Sequence, residues 1–244
     1  MTRRAMLARG GGVTVWRQIA EAMEADIVGG GLPPGSRMPT EAALSERFGV
    51  NRHTVRQALK SLVEKGLVRV TQGSGTYVEA KPLTYPIGAR TRFSEIVLGQ
   101  AREPAGRLIG HRIGGATIAM ADALGLSPED PVVVIDSAHF ADRVPISWAI
   151  IAFPLPRFAG VPEVYAATGS ISAALAACGV PDYRRATTHV GAAIADATDV
   201  ERLEVAAGRP ILVVESLNVD RDGVPIQWAR SHFSADRVRI TVGS

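Results

Sequence analysis

Two arginines lie four residues apart in the segment GVNRHTVRQAL, residues 49–59. This spacing puts Arg52 and Arg56 on one face of a predicted helix, whose other face carries apolar residues at helical spacing. An arginine fork can donate to O6 and N7 of one guanine, and the free N–H groups at a helix start attract phosphate. The same pattern is also typical of a solvated helix surface. Whether this face contacts DNA therefore depends on the elements around it.

The surrounding sequence predicts a helix-turn-helix followed by a β-hairpin. Apolar spacing predicts a first helix over about residues 14–28, which the glycines at 29–31 end. Thr40 is a suitable N-cap for a second helix that stops at Gly49, and Asn51 caps the next helix after a short turn. The sequence LVRVTQGSGTYV then has the pattern of two strands around a glycine-rich turn. Three helices and a hairpin make a winged helix-turn-helix.

Composition is typical of a globular protein, and positive charge is concentrated in the first third of the chain. The chain has 244 residues, of which 46% are hydrophobic and 21% charged. No apolar run reaches the roughly 18 residues of a membrane span, and no signal peptide is evident. The single cysteine, Cys178, suits a reducing cytoplasm, which is the expected location. Residues 1–80 carry 11 Lys+Arg against 7 Asp+Glu, whereas residues 81–244 carry 16 against 17, which favours a polyanionic partner for the first part.

Residues 13–80 resemble the N-terminal domain of the GntR family of bacterial transcriptional regulators. The resemblance is carried by the leading segment LPPGSRMPTE, the helix GVNRHTVRQAL and the hairpin end GSGTYV. It implies that Arg52 and Arg56 contact bases or the adjacent backbone, while other polar residues hold phosphates or the minor-groove edge. The residues expected at the DNA interface are Arg37, Thr40, Asn51, Arg52, His53, Thr54, Arg56, Gln72 and Gly73. Ala42 stands where some relatives place a DNA-contacting arginine, so that contact is expected to be missing.

The rest of the chain contains an internal duplication. The expected organisation is a DNA-binding domain at 1–80, a linker at 81–92 and a second domain at 93–244. The segments PVVVIDSAHFADRVPISWA from Pro131 and PILVVESLNVDRDGVPIQWA from Pro210 align with one gap, and each follows a helical stretch. Each copy has the pattern of helix, strand, tight turn and strand. Two such hairpins predict one antiparallel sheet with helices on one face, an α+β domain.

A cleft between the two halves of such a domain is a natural small-molecule site. The residues expected to bind an effector there are Arg92, Ser94, His139, Ser170 and Arg230. The two serines lie near predicted helix starts, where N–H groups favour an anion, and the other three residues can add positive charge. An ordinary surface or core role is the alternative for each residue alone. Trp148 and Trp228 are expected in the core.

The second domain resembles the effector-binding (UTRA) domain of the histidine-utilisation-repressor (HutC) subgroup of GntR proteins, which has a chorismate-lyase-like fold. The ending NVDRDGVPIQWARSHFSADRVRI looks most like that of regulators of phosphonate uptake and utilisation. The resemblance implies a small-molecule effector, namely phosphate, a phosphonate or a related anion, with no catalytic residue, metal or cofactor. Sugar-phosphate-sensing relatives carry Arg-x-Arg where this chain has Ser137-Ala138-His139. This difference favours a smaller or less charged anion.

These features predict a ligand-controlled repressor that binds a palindromic DNA operator as a homodimer. We expect the effector to act by reorienting the segment near residues 78–92. Two alternatives stay open: an enzymatic, lyase-like activity of the second domain, and an effector-independent DNA-binding protein. A pyridoxal-phosphate domain of the kind found in some GntR proteins needs a Schiff-base lysine, and the chain has none beyond Lys81. The histidines also lack the spacing of a zinc site.

Overall fold

The computed structural model describes residues 14–71, 73–79 and 82–242. The chain divides between Lys81 and Pro82 into two compact units. Each unit has its own hydrophobic core. No helix in the described ranges is long and apolar enough to cross a membrane.

The described residues of the first unit form three helices and a two-stranded hairpin. The helices are α1 (Val15–Val28), α2 (Glu41–Phe48) and α3 (Arg52–Glu64), and the antiparallel hairpin strands are β1 (Val68–Thr71) and β2 (Gly75–Val78). This order confirms the predicted winged helix-turn-helix.

Local signals end the helices of the first unit, and apolar packing holds them together. Gly49 ends α2 with a left-handed backbone conformation, φ +66°, which glycine adopts without strain. The inner faces of the helices meet in one core, whose fully buried members include Ile19, Met23, Leu44, Val55 and Leu62. Burial of each such side chain stabilises the fold by about 1.5–3 kcal/mol. Because this packing uses the apolar face of α3, its polar face is turned to solvent.

The second unit is built on an antiparallel sheet, which confirms the α+β prediction. Its helices, among the described residues, are α4 (Phe93–Leu98), α5 (Ile118–Leu124), α6 (Val161–Thr168), α7 (Ile171–Ala177) and α8 (Ala197–Leu203). The strands of the main sheet are β4 (Pro104–Gly115), β5 (Pro131–Ala141), β6 (Val144–Pro154), β7 (Arg184–Ile194), β8 (Pro210–Val219) and β9 (Pro225–Ser234). Their spatial order is β4-β5-β6-β9-β8-β7. A separate parallel pair joins β3 (Leu83–Ile87) to β10 (Val238–Val242).

Helices cover both faces of the main sheet, not one face as expected from the sequence. On β5, Val133 and Ile135 pack against α6 and α7, whereas Val132 and Val134 pack against α5 on the other side. These four consecutive residues are all buried, the pattern of a strand that is covered on both faces. A strand with one solvated face would alternate instead.

The duplicated segments form equivalent halves related by a pseudo-two-fold axis. Each half has the order helix, strand, helix, strand, strand, namely α4-β4-α5-β5-β6 and α7-β7-α8-β8-β9. At the centre of the sheet β6 pairs antiparallel with β9, and Ile150 lies opposite Arg230, its aligned position in the other copy. The axis therefore passes between Ile150 and Arg230. Equivalent residues of the two halves lie on opposite sides of it.

Residues 83–87, within the predicted linker 81–92, form strand β3 of the second unit. β3 pairs with β10 at the far end of the unit's sequence. Leu83 and Tyr85 are buried between exposed neighbours. The alternation spans only five residues and the partner strand is distant in sequence, so local patterns do not reveal this pairing.

Trp148 and Trp228 are buried on the face of the sheet that α5 and α8 cover, as expected for core residues. The Trp148 indole N–H donates to the Asp199 carboxylate of α8 at 2.8 Å, and His232 Nδ1 lies 2.7 Å from the same carboxylate. Desolvation opposes ionisation of Asp199, but the hydrogen bonds from His232 and Trp148 hold its pKa below the usual value. Because α8 belongs to one half and Trp148 to the other, this contact ties the two halves together.

Candidate DNA-binding face and ligand cavity

The start of α3 is held by its own cap. The Asn51 side-chain oxygen accepts hydrogen bonds from the Thr54 backbone N–H at 2.9 Å and from the Thr54 hydroxyl at 3.0 Å. Thr40 caps α2 in the same way, by accepting from the Ala43 N–H at 3.2 Å. All three polar residues were predicted at the DNA interface, and the structure shows that each side chain also fixes a helix start.

Arg52, His53 and Arg56 are exposed on the polar face of α3. Arg56 Nε donates to both carboxylate oxygens of Glu41 in α2, at 2.9 Å each. The hydrogen bond and the charge of Glu41 raise the pKa of Arg56. This contact orients the Arg56 side chain, while no hydrogen bond within the described residues engages its two Nη groups. The guanidinium is therefore positioned to donate outward through those groups.

Arg37 lies against the hairpin of the first unit. It forms an isolated β-bridge with Tyr77, and a β carbon added at Gly75 would lie 3.1 Å from Arg37 Nε. The exposed tip residue Gly73 has φ +74°, a conformation that favours glycine. Gln72, also predicted to contact DNA, lies outside the described residues. The wing can thus present an arginine and a bare backbone to a polyanion.

A cavity of about 250 Å³ lies within the second unit, between the sheet and residues of α4 and α7. The predicted effector residues that line it are Arg92, Ser94, His139 and Ser170. The Ser170 hydroxyl caps α7 by accepting from the Ala173 N–H at 3.2 Å, and Ser94 lies in the first turn of α4. Ligand pockets typically measure roughly 300–1,000 Å³, so this cavity suits a small ligand.

The fifth predicted effector residue, Arg230, lies on the opposite face of the sheet, so its assignment to the cavity is wrong. Ala229 and Ser231 line the cavity from β9, and side chains alternate along a strand. Arg230 instead pairs with Glu215 of β8, at 3.2 Å. Neighbouring residues on a strand point to opposite faces of the sheet, so an error of one residue places a side chain on the wrong face. The sequence repeat does not determine which residues face the cavity.

His139 lines the cavity but does not bring the positive charge predicted for it. Its ring nitrogens lie 3.3 Å from the Ser147 hydroxyl and 3.3 Å from the Tyr165 hydroxyl, and its ring centre is 5.1 Å from that of Phe93. Desolvation lowers the pKa of His139 to about 4, so the imidazole is neutral near pH 7. This part of the cavity offers hydrogen bonds without charge.

Arg92 is already paired with carboxylates. Its Nη1 lies 3.2 Å from Glu95 and its Nη2 lies 2.9 Å from Asp182, while its guanidinium stacks 5.0 Å from the centre of the Tyr183 ring. Only its Nε is buried without a hydrogen-bond partner in the described structure. Arg92 therefore supplies one unsatisfied donor to the cavity, and its charge is balanced.

Arg185 is a cationic residue of the cavity that the sequence did not single out. Its Nε donates to the Asn218 side-chain oxygen at 3.0 Å, and the Asn218 amide donates to the Gln227 side-chain oxygen at 2.8 Å. Desolvation lowers the pKa of Arg185, while Tyr85 and Tyr183 favour its charged form. Arginine stays protonated despite such a shift. No carboxylate of the described residues pairs with this guanidinium, so its charge is uncompensated.

A signal for Arg185 exists in the sequence, but it needs the strand to be recognised first. Arg184 and Arg185 are adjacent on β7, and alternation requires one of them to face the helices. Asn218 and Gln227 also line the cavity and were missed, because each lies on a strand whose orientation was not predicted.

Comparison with known proteins identifies both units. Residues 16–78 match the family of bacterial regulatory proteins, gntR family, and residues 99–239 match the UTRA domain. The chain is 40% identical over 232 residues to the uncharacterized HTH-type transcriptional regulator RB1450 of Rhizobium meliloti (strain 1021), which covers 95% of each protein. It is 27% identical over 219 residues to the HTH-type transcriptional repressor PhnF of Mycolicibacterium smegmatis, covering 89% of this chain and 88% of PhnF.

The fold agrees with these matches. The crystal structure of PhnF from Mycobacterium smegmatis superposes with a TM-score of 0.64 at 25% identity, covering 93% of this chain and 98% of that one. These relatives are named as transcriptional regulators, not as enzymes. The predicted family and fold class are both confirmed. The chain belongs to the GntR family of bacterial transcriptional regulators and carries a UTRA domain as its second unit.

Proposed function

We propose that this regulator is a cytoplasmic repressor whose affinity for its DNA operator is set by a small oxyanionic metabolite bound in the cavity. The observation that carries the proposal is the uncompensated Arg185 guanidinium. Burial of an unpaired charge is costly, and such charges in proteins are normally paired. Phosphate, a phosphonate or a related anion would supply the missing partner. The repressor role is supported by the name of the PhnF relative.

The cavity is connected to the segment that follows the junction between the units. Tyr85, Thr91 and Arg92 all line the cavity. The Arg185 backbone N–H donates to the Ala89 carbonyl at 2.8 Å. A ligand that contacts Arg185 would therefore act directly on the backbone that leads from the DNA-binding unit. This connection supports a mechanism in which effector binding reorients the segment near residues 78–92.

We further propose that the repressor binds a palindromic operator as a homodimer. The exposed polar residues at the start of α3 span little more than one helical turn, so one copy reads only a few base pairs. A two-fold dimer doubles the site. Light scattering on the free protein and on its operator complex tests this, with two chains per duplex expected in the complex.

The DNA-binding proposal is tested by selecting an operator from random duplexes and measuring its affinity by fluorescence anisotropy. Arg52→Ala is expected to weaken specific binding by about 1–3 kcal/mol. Arg221→Ala, which removes one exposed positive charge from the second unit, is the matched control and should bind like the wild type. If Arg52→Ala and Arg221→Ala bind alike, α3 is not the recognition helix.

The effector proposal is tested by repeating the titration in the presence of phosphate, phosphonates and phosphate monoesters. We expect one class to change operator affinity by 5–150-fold, about 1–3 kcal/mol of coupling. If none does, the proposal of a phosphorus-oxyanion effector is refuted, and effector-independent DNA binding becomes the alternative to test. If a bound compound is converted to product, the second unit is an enzyme.

A further inference from the structure

The two halves of the cavity are related by the pseudo-two-fold axis, but they are chemically different. In the first half Gly106 of β4 pairs with His139 of β5, and in the second half Arg185 of β7 pairs with Asn218 of β8. His139 and Asn218 are aligned positions of the duplicated segments, so the two cross-strand pairs are equivalent. One half thus has an arginine where the other has glycine.

Packing explains why the first half holds no arginine. A β carbon at Gly106 would lie 2.1 Å from the Gly169 carbonyl oxygen and 2.9 Å from the Tyr165 hydroxyl. The turn between α6 and α7 therefore leaves no room for a side chain at Gly106. A side chain at Gly106 would require this turn to move. The chemical difference between the halves is thus built into the backbone.

The arginine half and the histidine half lie at opposite ends of the cavity. Equivalent residues lie on opposite sides of the axis, and β5 and β8 are three strands apart in the sheet. Three inter-strand steps of about 4.8 Å separate these strands by roughly 14 Å. Arg92 contacts Tyr183, which also lies near Arg185, so both arginines are at the same end. At the other end His139 lies within hydrogen-bonding distance of the neutral Ser147 and Tyr165 hydroxyls and packs against the Phe93 ring.

We propose that the effector binds in one orientation, with a single oxyanionic group at Arg185 and an uncharged hydrogen-bonding group beside His139. This inference rests on the proposed function, because only that function makes the bound molecule an effector. Because Asn218 holds Arg185 Nε, the Nη1 and Nη2 edge is left for a bidentate contact with a phosphoryl, phosphonyl or carboxyl group. A second anionic group would meet the uncharged His139 end and lose its hydration without a cation in return. The ligand class is therefore an elongated molecule with one anionic end and one polar, neutral end.

Calorimetric titration of the full-length protein without DNA tests this orientation. The probes are inorganic phosphate, glycerol 3-phosphate, 3-phosphoglycerate and glycerate. They vary separately the head, which is the oxyanionic group expected at Arg185, and the tail, which is the group expected beside His139. Glycerol 3-phosphate is expected to bind at least tenfold more tightly than inorganic phosphate or 3-phosphoglycerate. Glycerate distinguishes a carboxylate head from a phosphoryl head. If 3-phosphoglycerate binds as tightly as glycerol 3-phosphate, or if no probe binds, the proposal is overturned.

Two variants test which residue contacts each end of the ligand. Arg185→Met should weaken the binding of every oxyanion at least tenfold. His139→Leu, which removes both ring nitrogens, should lower the affinity for glycerol 3-phosphate toward that for inorganic phosphate. Arg230→Met, on the opposite face, is the matched control for a lost arginine. If Arg185→Met does not fold, Arg185→Lys keeps the charge, loses the fork and should weaken binding severalfold. Equal loss in Arg185→Met and Arg230→Met would refute the assignment. Tight probe binding with unchanged operator affinity would refute only the proposed function.

Discussion

Gly106 gives the most direct structural test of the asymmetric cavity. Its backbone approaches the turn between α6 and α7 so closely that a β carbon would lie 2.1 Å from the Gly169 carbonyl oxygen. Gly169 has φ +63°, so the turn is itself fixed by a glycine conformation. Gly106→Ala therefore forces the turn away from β4. Since Ser170 follows that turn and lines the cavity, the displacement reaches the cavity wall.

The expected cost of Gly106→Ala follows from the overlap. Cβ atoms essentially never approach a neighbouring atom within 3.0 Å, so the turn must move by about 1 Å. Overpacking of this kind costs about 1–3 kcal/mol, and we expect the upper end because the clash is with backbone. For a unit of this size, a loss of about 3 kcal/mol lowers Tm by roughly 6–12 °C.

Thermal unfolding followed by circular dichroism measures this effect. Gly110→Ala is the matched control, because it lies on the same strand and no atom would lie within 4 Å of its new β carbon. Its free energy of unfolding should change by less than about 0.5 kcal/mol. If Gly106→Ala and Gly110→Ala melt together at the wild-type temperature, the close packing of β4 against the turn is wrong. That result would also refute the explanation of why Gly106, the position equivalent to Arg185, is not an arginine.

Three further predictions concern other parts of the molecule. The pKa of His139 is about 4 in the folded protein and about 6.5 when unfolded. The contribution of the neutral imidazole to the free energy of unfolding is therefore fully present above pH 6.5 and is lost as pH falls toward 4. In urea titrations His139→Gln should remove about 3 kcal/mol of this pH dependence; an unchanged pH profile would contradict the neutral imidazole. Asp199→Ala leaves two buried donors unpaired and should lower the free energy of unfolding by about 3–5 kcal/mol, whereas a loss below 1 kcal/mol would contradict its linking role. Glu41→Gln weakens the contact that orients Arg56 and should reduce the ratio of operator to random-DNA affinity about tenfold, and an unchanged ratio would show that the contact is lost on DNA.

The first unit could be predicted closely because its signals are local. Thr40, Gly49 and Asn51 set the helix ends through contacts within a few residues of themselves, and the structure places the caps there. The contact between Arg56 and Glu41 could not be predicted, because it depends on how α2 and α3 pack. Local chemistry thus gives the elements, and packing decides which polar groups remain available.

The second unit shows what a sequence repeat leaves undetermined. The duplication predicted the paired hairpins, but it did not determine the face to which each residue points. Arg230 was therefore placed in the cavity, and Arg185, which does line it, was missed. The charge of His139 also depends on its surroundings, since desolvation by neighbouring elements holds it neutral. Strand register and burial are properties of the assembled sheet, so they are not readable from one copy.

The central claim is that the cavity controls DNA binding. It is tested most directly by measuring operator affinity with and without glycerol 3-phosphate for three proteins: the wild type, Arg185→Met and Arg230→Met. The account predicts that the ligand changes the affinity of the wild type and of Arg230→Met at least fivefold, and that of Arg185→Met less than twofold. An unchanged affinity in the wild type, or an equal response in Arg185→Met, would contradict it.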